Sequence, residues 1–270
     1  MCPTSSTGSA GKPSYRPVPK TQATTKKLIG GERPGIIRGS GNGPPPFLSH
    51  KDVPMNAPAD RFQHTLLCIA VGLAWFMLPL VVSMLPGYMS IYRAGLATPL
   101  LYFVFWLPFA LFCWQRYQRR FGLLPAGGLS VQSLVWPGLA LLALSFIHGL
   151  FGRQEPWSAT LSQMSSFNLA LTAICICLLA PVVEEVICRG FLLNAGIGWG
   201  KTGQTVAMVG TSLFFAIGHA QYQMPTTFVW LFVFSIILCQ VRIHTGSLLA
   251  PIVLHSATNI IGMMAALKLA

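Results

Sequence analysis

Seven long apolar runs fill this chain from residue 62 onward, at roughly 62–86, 96–115, 131–151, 167–195, 204–222, 226–243 and 247–267. Each is about long enough to cross a ~30 Å hydrocarbon core at 1.5 Å per residue. Only 9% of the residues are charged and the mean hydropathy is +0.60, whereas soluble domains average about 25% charged. The expected fold is an all-α polytopic membrane protein with about seven transmembrane helices. The runs at 204–222 and 226–243 are separated only by Gln221–Pro225, so that pair is the weakest part of the count.

The formal net charge of +12 suggests nucleic acid until its distribution is examined. Eight of the 18 Lys and Arg lie in the first 60 residues, and most of the rest sit at the ends of apolar runs. That pattern encodes topology, not the basic stripe of a nucleic-acid-binding fold. With the N-terminus in the cytoplasm, that side receives the tail, Arg61, Arg116, Arg119, Arg120, Lys201 and Arg242, against Arg93, Arg153 and Lys268 opposite. A cytoplasmic N-terminus is therefore expected.

Three regions follow. Residues 1–60, rich in Pro, Gly, Ser, Thr and Lys, read as a disordered basic tail. An organellar transit peptide is the alternative, and no secretory h-region occurs near the start. Residues 61–160 carry the N-terminal transmembrane helices, and 161–270 a transmembrane core that holds the candidate site residues. Six of the seven cysteines lie in apolar runs without paired spacing and read as small apolar residues.

The chemistry concentrates in 178–193, LLAPVVEEVICRGFLL. Only three acids occur after residue 60, namely Glu155, Glu184 and Glu185, and two of them are adjacent here. A charge at bilayer depth costs about 2.5–3.5 kcal/mol on the gentlest scales, so each needs a partner or a function. Glu185 and Arg189 are four apart and neutralise each other on one helix face. Glu184 is turned about 100° away and needs a group from another helix. His219, His255 and Asn259 are candidates. Counted from the nearest turns at 1.5 Å per residue, Glu184 lies about 18 Å deep, His219 about 24 Å, His255 about 12 Å and Asn259 about 18 Å. A carboxylate, two imidazoles and a carboxamide in one layer are the parts of an amide hydrolase. Glu184 takes a proton from water, His219 holds or relays it, and His255 and Asn259 donate to the developing oxyanion. Pro181 is expected to kink the fourth helix. His64 and His148 read as packed or interfacial residues, and Tyr222, Trp199 and Trp230 as interface anchors.

Glu184-Glu185-x-x-x-Arg189, Phe215-x-x-x-His219 and His255-x-x-x-Asn259 resemble, in order, the three motifs of the CPBP family. That family comprises the type II CAAX prenyl endopeptidases and bacterial relatives that include bacteriocin-processing and immunity proteins. The flanks agree: Ala180-Pro181, Gly190-Phe191, and Thr245-Gly246-Ser247-Leu248 with Pro251-Ile252. The similarity covers about 167–262. It implies an intramembrane endopeptidase in which Glu184 and His219 activate water, His255 and Asn259 form the oxyanion hole, and Glu185 and Arg189 are structural. A zinc ion held by Glu184, His219 and His255 is the alternative, although no HExxH pattern accompanies it; the expectation is no cofactor. The implied partners are the bilayer and a peptide or membrane-protein substrate, with a prenylated C-terminus as one candidate. The bacterial inner membrane is the expected location, with the endoplasmic reticulum or another organelle as alternatives. Two other functions compete: a non-enzymatic immunity or scaffold protein, and a proton-coupled transporter, for which no internal repeat is visible.

Overall fold

The computed structural model describes residues 58–152 and 155–269. Most of the expected basic tail lies outside the described residues, as does Arg153. Its last three residues already belong to the first helix, which starts on Pro58 with Asp60 in its first turn. Proline tolerates that position because the missing N–H has no intrahelical partner there, and an acid there complements the helix dipole.

Eight helical elements follow one another, with no strand among the described residues. They are α1 (Pro58–Ser83), the short α2 (Tyr88–Arg93), α3 (Ala97–Phe121), α4 (Val131–Phe151), α5 (Ser166–Gly196), α6 (Gly200–Gly218), α7 (Pro225–Thr245) and α8 (Leu249–Leu269). A 3-10 segment, Pro156–Gln163, links α4 to α5. The boundaries have local causes. Ser130 caps α4 through a reciprocal pair with Ser133, and Ser165 accepts from the Asn168 amide at the start of α5. Gly122 and Gly246 end α3 and α7 at φ 66° and 62°, the left-handed conformation that residues with a Cβ rarely adopt.

Each of the seven apolar runs forms a helix, although α6 ends at Gly218, inside its run. Among the described residues, six helices are long and apolar enough to cross a membrane: α1, α3, α4, α5, α7 and α8. The seventh, α6, is 19 residues long but opens on Gly-Lys-Thr-Gly-Gln-Thr, so its first third is polar. Basic groups meet at one end of the bundle. Arg61 donates to the Gly198 carbonyl at 3.1 Å, and Arg242 to the carbonyls of Gly246 and Leu123. These bonds tie the start of α1 to the start of α6, and the end of α7 to the end of α3. Arg116, Arg119 and Arg120 lie near the same end of α3. Arg93 lies at the other end, where Asn168 donates to the Ala94 carbonyl at 2.8 Å.

The helix α5 occupies the centre. Val183, Val186, Ile187, Cys188 and Phe191 are all buried, and α5 packs against α1, α3, α6, α7 and α8. At Gly190 an added Cβ would meet the tip of the Leu124 side chain at 2.7 Å, so Leu124 would have to shift to admit any other residue. The outer helices are the reverse. On α4 only Leu141 is buried, while Trp136, Leu142, Phe146 and Leu150 are exposed. An apolar surface of that extent fits lipid and not water.

Three π-helical stretches interrupt the long helices: Leu101–Trp106 in α3, and Cys175–Leu179 and Val186–Leu192 in α5. Two share one construction. The Leu107 N–H reaches back five residues to the Tyr102 carbonyl, and Ala180 reaches back five to Cys175. Each is followed by a proline, Pro108 and Pro181, which has no N–H to continue the ladder. Pro181 thus acts through a widened turn that precedes it, where a kink is expected from sequence.

Candidate active site

The two adjacent glutamates face different surroundings. Glu185 is fully buried, and one of its oxygens, Oε1, accepts from Arg189 Nη1 at 2.9 Å and from His255 Nδ1 at 2.8 Å. Arg189 is equally buried. Its Nη2 donates to the carbonyl and hydroxyl oxygens of Ser235 at 3.1 and 2.9 Å, and its guanidinium carbon lies 5.1 Å from the Phe215 ring centre. This assembly ties α5 to α7 and α8.

Glu184 makes its close contacts with groups from other helices, since Arg189 of its own helix pairs with Glu185. Tyr102 Oη, on the π-helical stretch of α3, donates to Glu184 Oε1 at 3.2 Å. The other oxygen, Oε2, faces two imidazoles, His219 Nε2 at 3.9 Å and His255 Nε2 at 3.8 Å. These separations exceed direct hydrogen-bond length and match groups that share a third, small partner.

The second nitrogen of each imidazole fixes its proton. His219 Nδ1 lies 2.7 Å from the Phe215 carbonyl oxygen, which can only accept, so Nδ1 carries the hydrogen and neutral His219 presents a lone pair at Nε2. His255 Nδ1 likewise donates to Glu185. Phe215 and Phe234 present tilted rings to His255 at 5.8 and 5.1 Å, walling its faces. His219 is not inside the apolar helix as the sequence suggests. The helix α6 stops at Gly218, and His219 is its cap at φ −94°, ψ 47°. Its ring stacks on Tyr222 at 5.8 Å, with 14° between the planes.

Asn259 Nδ2 donates to the Ile176 carbonyl at 2.8 Å. That carbonyl is available because of Pro181. In the five-residue register set by Ala180 and Cys175, the next donor to Ile176 would be the amide of residue 181, which proline lacks. The carboxamide fills the gap, and one Nδ2 hydrogen remains for another acceptor.

Glu184, His219 and His255 therefore converge, and Asn259 is anchored to the helix that bears Glu184. Sequence reasoning missed Tyr102, Ser235 and the inward placement of Tyr222 and Trp230. Tyr222 lies over His219 because only the loop 219–224 joins α6 to α7, and Trp230 stacks on Phe234 at 5.0 Å. Trp199 is exposed and donates to Thr65. His64 is packed as expected, buried 2.7 Å from Tyr117 Oη. Among the described residues no group of three His, Cys, Asp or Glu side chains is arranged to hold a metal ion.

Residues 166–261 match the family described as Type II CAAX prenyl endopeptidase Rce1-like, a family of proteases. The span runs from the first residue of α5 to two residues beyond Asn259. Over 111 residues the chain is 33% identical to an uncharacterized 24.3 kDa protein of Escherichia coli, covering 41% of this chain and 51% of that protein. The chain thus spans about half the length of the curated relative it matches. No solved structure matches it.

Proposed function

We propose that this multi-pass membrane protein is an endopeptidase that hydrolyses a peptide bond with water activated by Glu184. The observation that carries the proposal is the division of the Glu184 carboxylate. One oxygen is held by Tyr102, and the other lies 3.8–3.9 Å from two imidazole nitrogens. A water among Glu184 Oε2 and His219 Nε2 gives a proton to the carboxylate as its oxygen attacks the scissile carbonyl carbon. The carbonyl π electrons move onto oxygen. The tetrahedral oxyanion then collapses, the C–N bond breaks, and the leaving amine takes the proton back from Glu184. Water is consumed, and the carboxylate is restored.

The oxyanion is met by His255 and Asn259. His255 Nδ1–H is committed to Glu185, so donation from Nε2 requires both ring protons. In that form Glu184, Glu185, Arg189 and His255 sum to zero charge, which suits an apolar surrounding. Asn259 contributes the Nδ2 hydrogen not given to Ile176. Such donors are typically worth about 3–4 kcal/mol each in the transition state. No metal takes part in this scheme.

The family match favours a C-terminal peptide with a lipidated cysteine as substrate. Positive charge at the end holding Arg61, Arg242 and Lys201 favours that end, and hence the N-terminus, as cytoplasmic. The test is cleavage of a fluorogenic prenylated C-terminal peptide by purified protein in detergent, for wild type, Glu184→Ala and Glu185→Ala, each with and without a strong chelator. Activity lost in Glu184→Ala, partly kept in Glu185→Ala and indifferent to chelator is expected. Chelator-sensitive activity would replace the scheme with a metal-dependent one. Folded wild type that cleaves nothing would leave the scaffold or immunity reading standing.

A further inference from the structure

The third acid of the membrane part lies 29 residues before the pair, on another segment. Glu155 is buried, and its carboxylate accepts from two consecutive backbone amides, Gln223 N at 2.9 Å through Oε2 and Met224 N at 3.2 Å through Oε1. Met224 is the N-cap of α7, a 21-residue helix whose own Met224 side chain makes no capping bond. Glu155 therefore clamps the two amides immediately before the helix start, where the dipole also favours negative charge.

The clamped segment is the loop that carries His219. Loop 219–224 leaves α6 at His219, turns through a Tyr222 N–H to His219 carbonyl bond of 3.0 Å, and arrives at the clamped amides. The segment beginning at Glu155 makes a second contact, with the Trp157 ring edge-on to Tyr222 at 5.9 Å, and Tyr222 stacks on His219. One short stretch thus grips the loop at its far end through the carboxylate and at its middle through the indole. From the other side, the imidazole is held by the Phe215 carbonyl, with the Phe215 ring 4.5 Å away.

We propose that Glu155 is a positioning residue that sets the imidazole of His219 against Glu184, with Trp157 and Tyr222 as the packing through which it acts. All three acids after residue 60 then serve one site, two within it and one by holding its histidine in place. This inference rests on His219 acting on water as proposed above.

In Glu155→Gln the side chain keeps its size but loses its charge and one acceptor oxygen. We expect kcat to fall by about ten- to a hundredfold with KM within about twofold of wild type, since a misplacement of about 1 Å is worth that much. In a His219→Ala background the same change is expected to add nothing, because the residue it acts through is gone. Unchanged kcat, or a loss that adds fully to that of His219→Ala, would overturn the proposal. A readout independent of turnover accompanies it: carbethoxylation of His219 by diethyl pyrocarbonate, followed by peptide mass spectrometry. Faster modification of His219 in Glu155→Gln than in wild type supports the brace, and an equal rate refutes it, even if the wild-type protein cleaves no peptide. Should Glu155→Gln not fold, Trp157→Leu, which leaves the carboxylate in place, carries the same expectations and the same refuting outcomes.

Discussion

Arg189→Met isolates the contribution of the buried ion assembly to stability. The guanidinium is fully buried and donates to Glu185 Oε1 and to both oxygens of Ser235. Methionine fills much of the same volume but leaves the Glu185 carboxylate, also fully buried, with His255 still donating to it. Breaking a buried pair by removing one partner typically costs about 3–5 kcal/mol, mostly because the survivor keeps its charge away from water. At roughly 2–4 °C per kcal/mol for a domain of this size, the melting temperature should fall by about 6–20 °C. The protein supplies its own reporter, because Cys175, Cys188 and Cys239 are free and buried. A thiol-reactive maleimide dye in detergent will light up as the bundle opens. The double variant Arg189→Met/Glu185→Gln removes the stranded charge and should recover much of the loss, since well-packed neutral replacements of buried pairs are often close to neutral. A single variant that melts within about 2 °C of wild type, or a double variant no more stable than the single, would refute this account of how α5 is tied to α7 and α8.

Other substitutions separate chemistry from scaffold. Tyr102→Phe should lower kcat by about ten- to a hundredfold with little change in KM or melting, matching the 1.5–3 kcal/mol of a hydrogen bond to a charged group; steady-state kinetics will show it. Asn259→Ala should cost about 10²–10³ in kcat, the usual effect of removing an oxyanion donor, and a peptide cleavage assay checks this. Pro181→Ala gives residue 181 an N–H that can bond the Ile176 carbonyl in place of Asn259. It should leave melting unchanged or raised while lowering kcat, and a stability loss without a kcat loss would contradict that competition.

Much of this was legible in the sequence, and the boundary of legibility is physical. Apolar runs longer than a bilayer is thick leave little choice but helices, so the bounds of α4 and α7 fall within two residues of those expected. The Glu185–Arg189 pair followed from i,i+4 spacing on one helix. Tyr102 did not, because its contact with Glu184 spans 82 residues and nothing in Leu-Tyr-Phe distinguishes it from an ordinary membrane tyrosine. The π stretches were also hidden, since a ladder shifted by one carbonyl leaves the same apolar pattern. The end of α6 at His219 was missed because Gly218 and Ala220 are as compatible with a continuing membrane helix as with a cap.

A π turn is in effect one residue inserted into an α-helix, and it advances everything after it by about 100° around the axis. Two such insertions bracket the glutamate pair, at Cys175–Leu179 and Val186–Leu192. The angular phase of Glu184 and Glu185 relative to the start of α5, and of Arg189 and Phe191 relative to its end, is therefore set by helix winding as well as by sequence spacing. Deleting a single residue from Cys175–Leu179 would leave every side chain intact and the helix more regular. It would also swing Glu184 away from Tyr102 or force the first turns of α5 to rotate against α8. Near this site chain length is a coordinate in its own right, and alignments that slide one gap through this helix would misplace which wall of the bundle each residue builds.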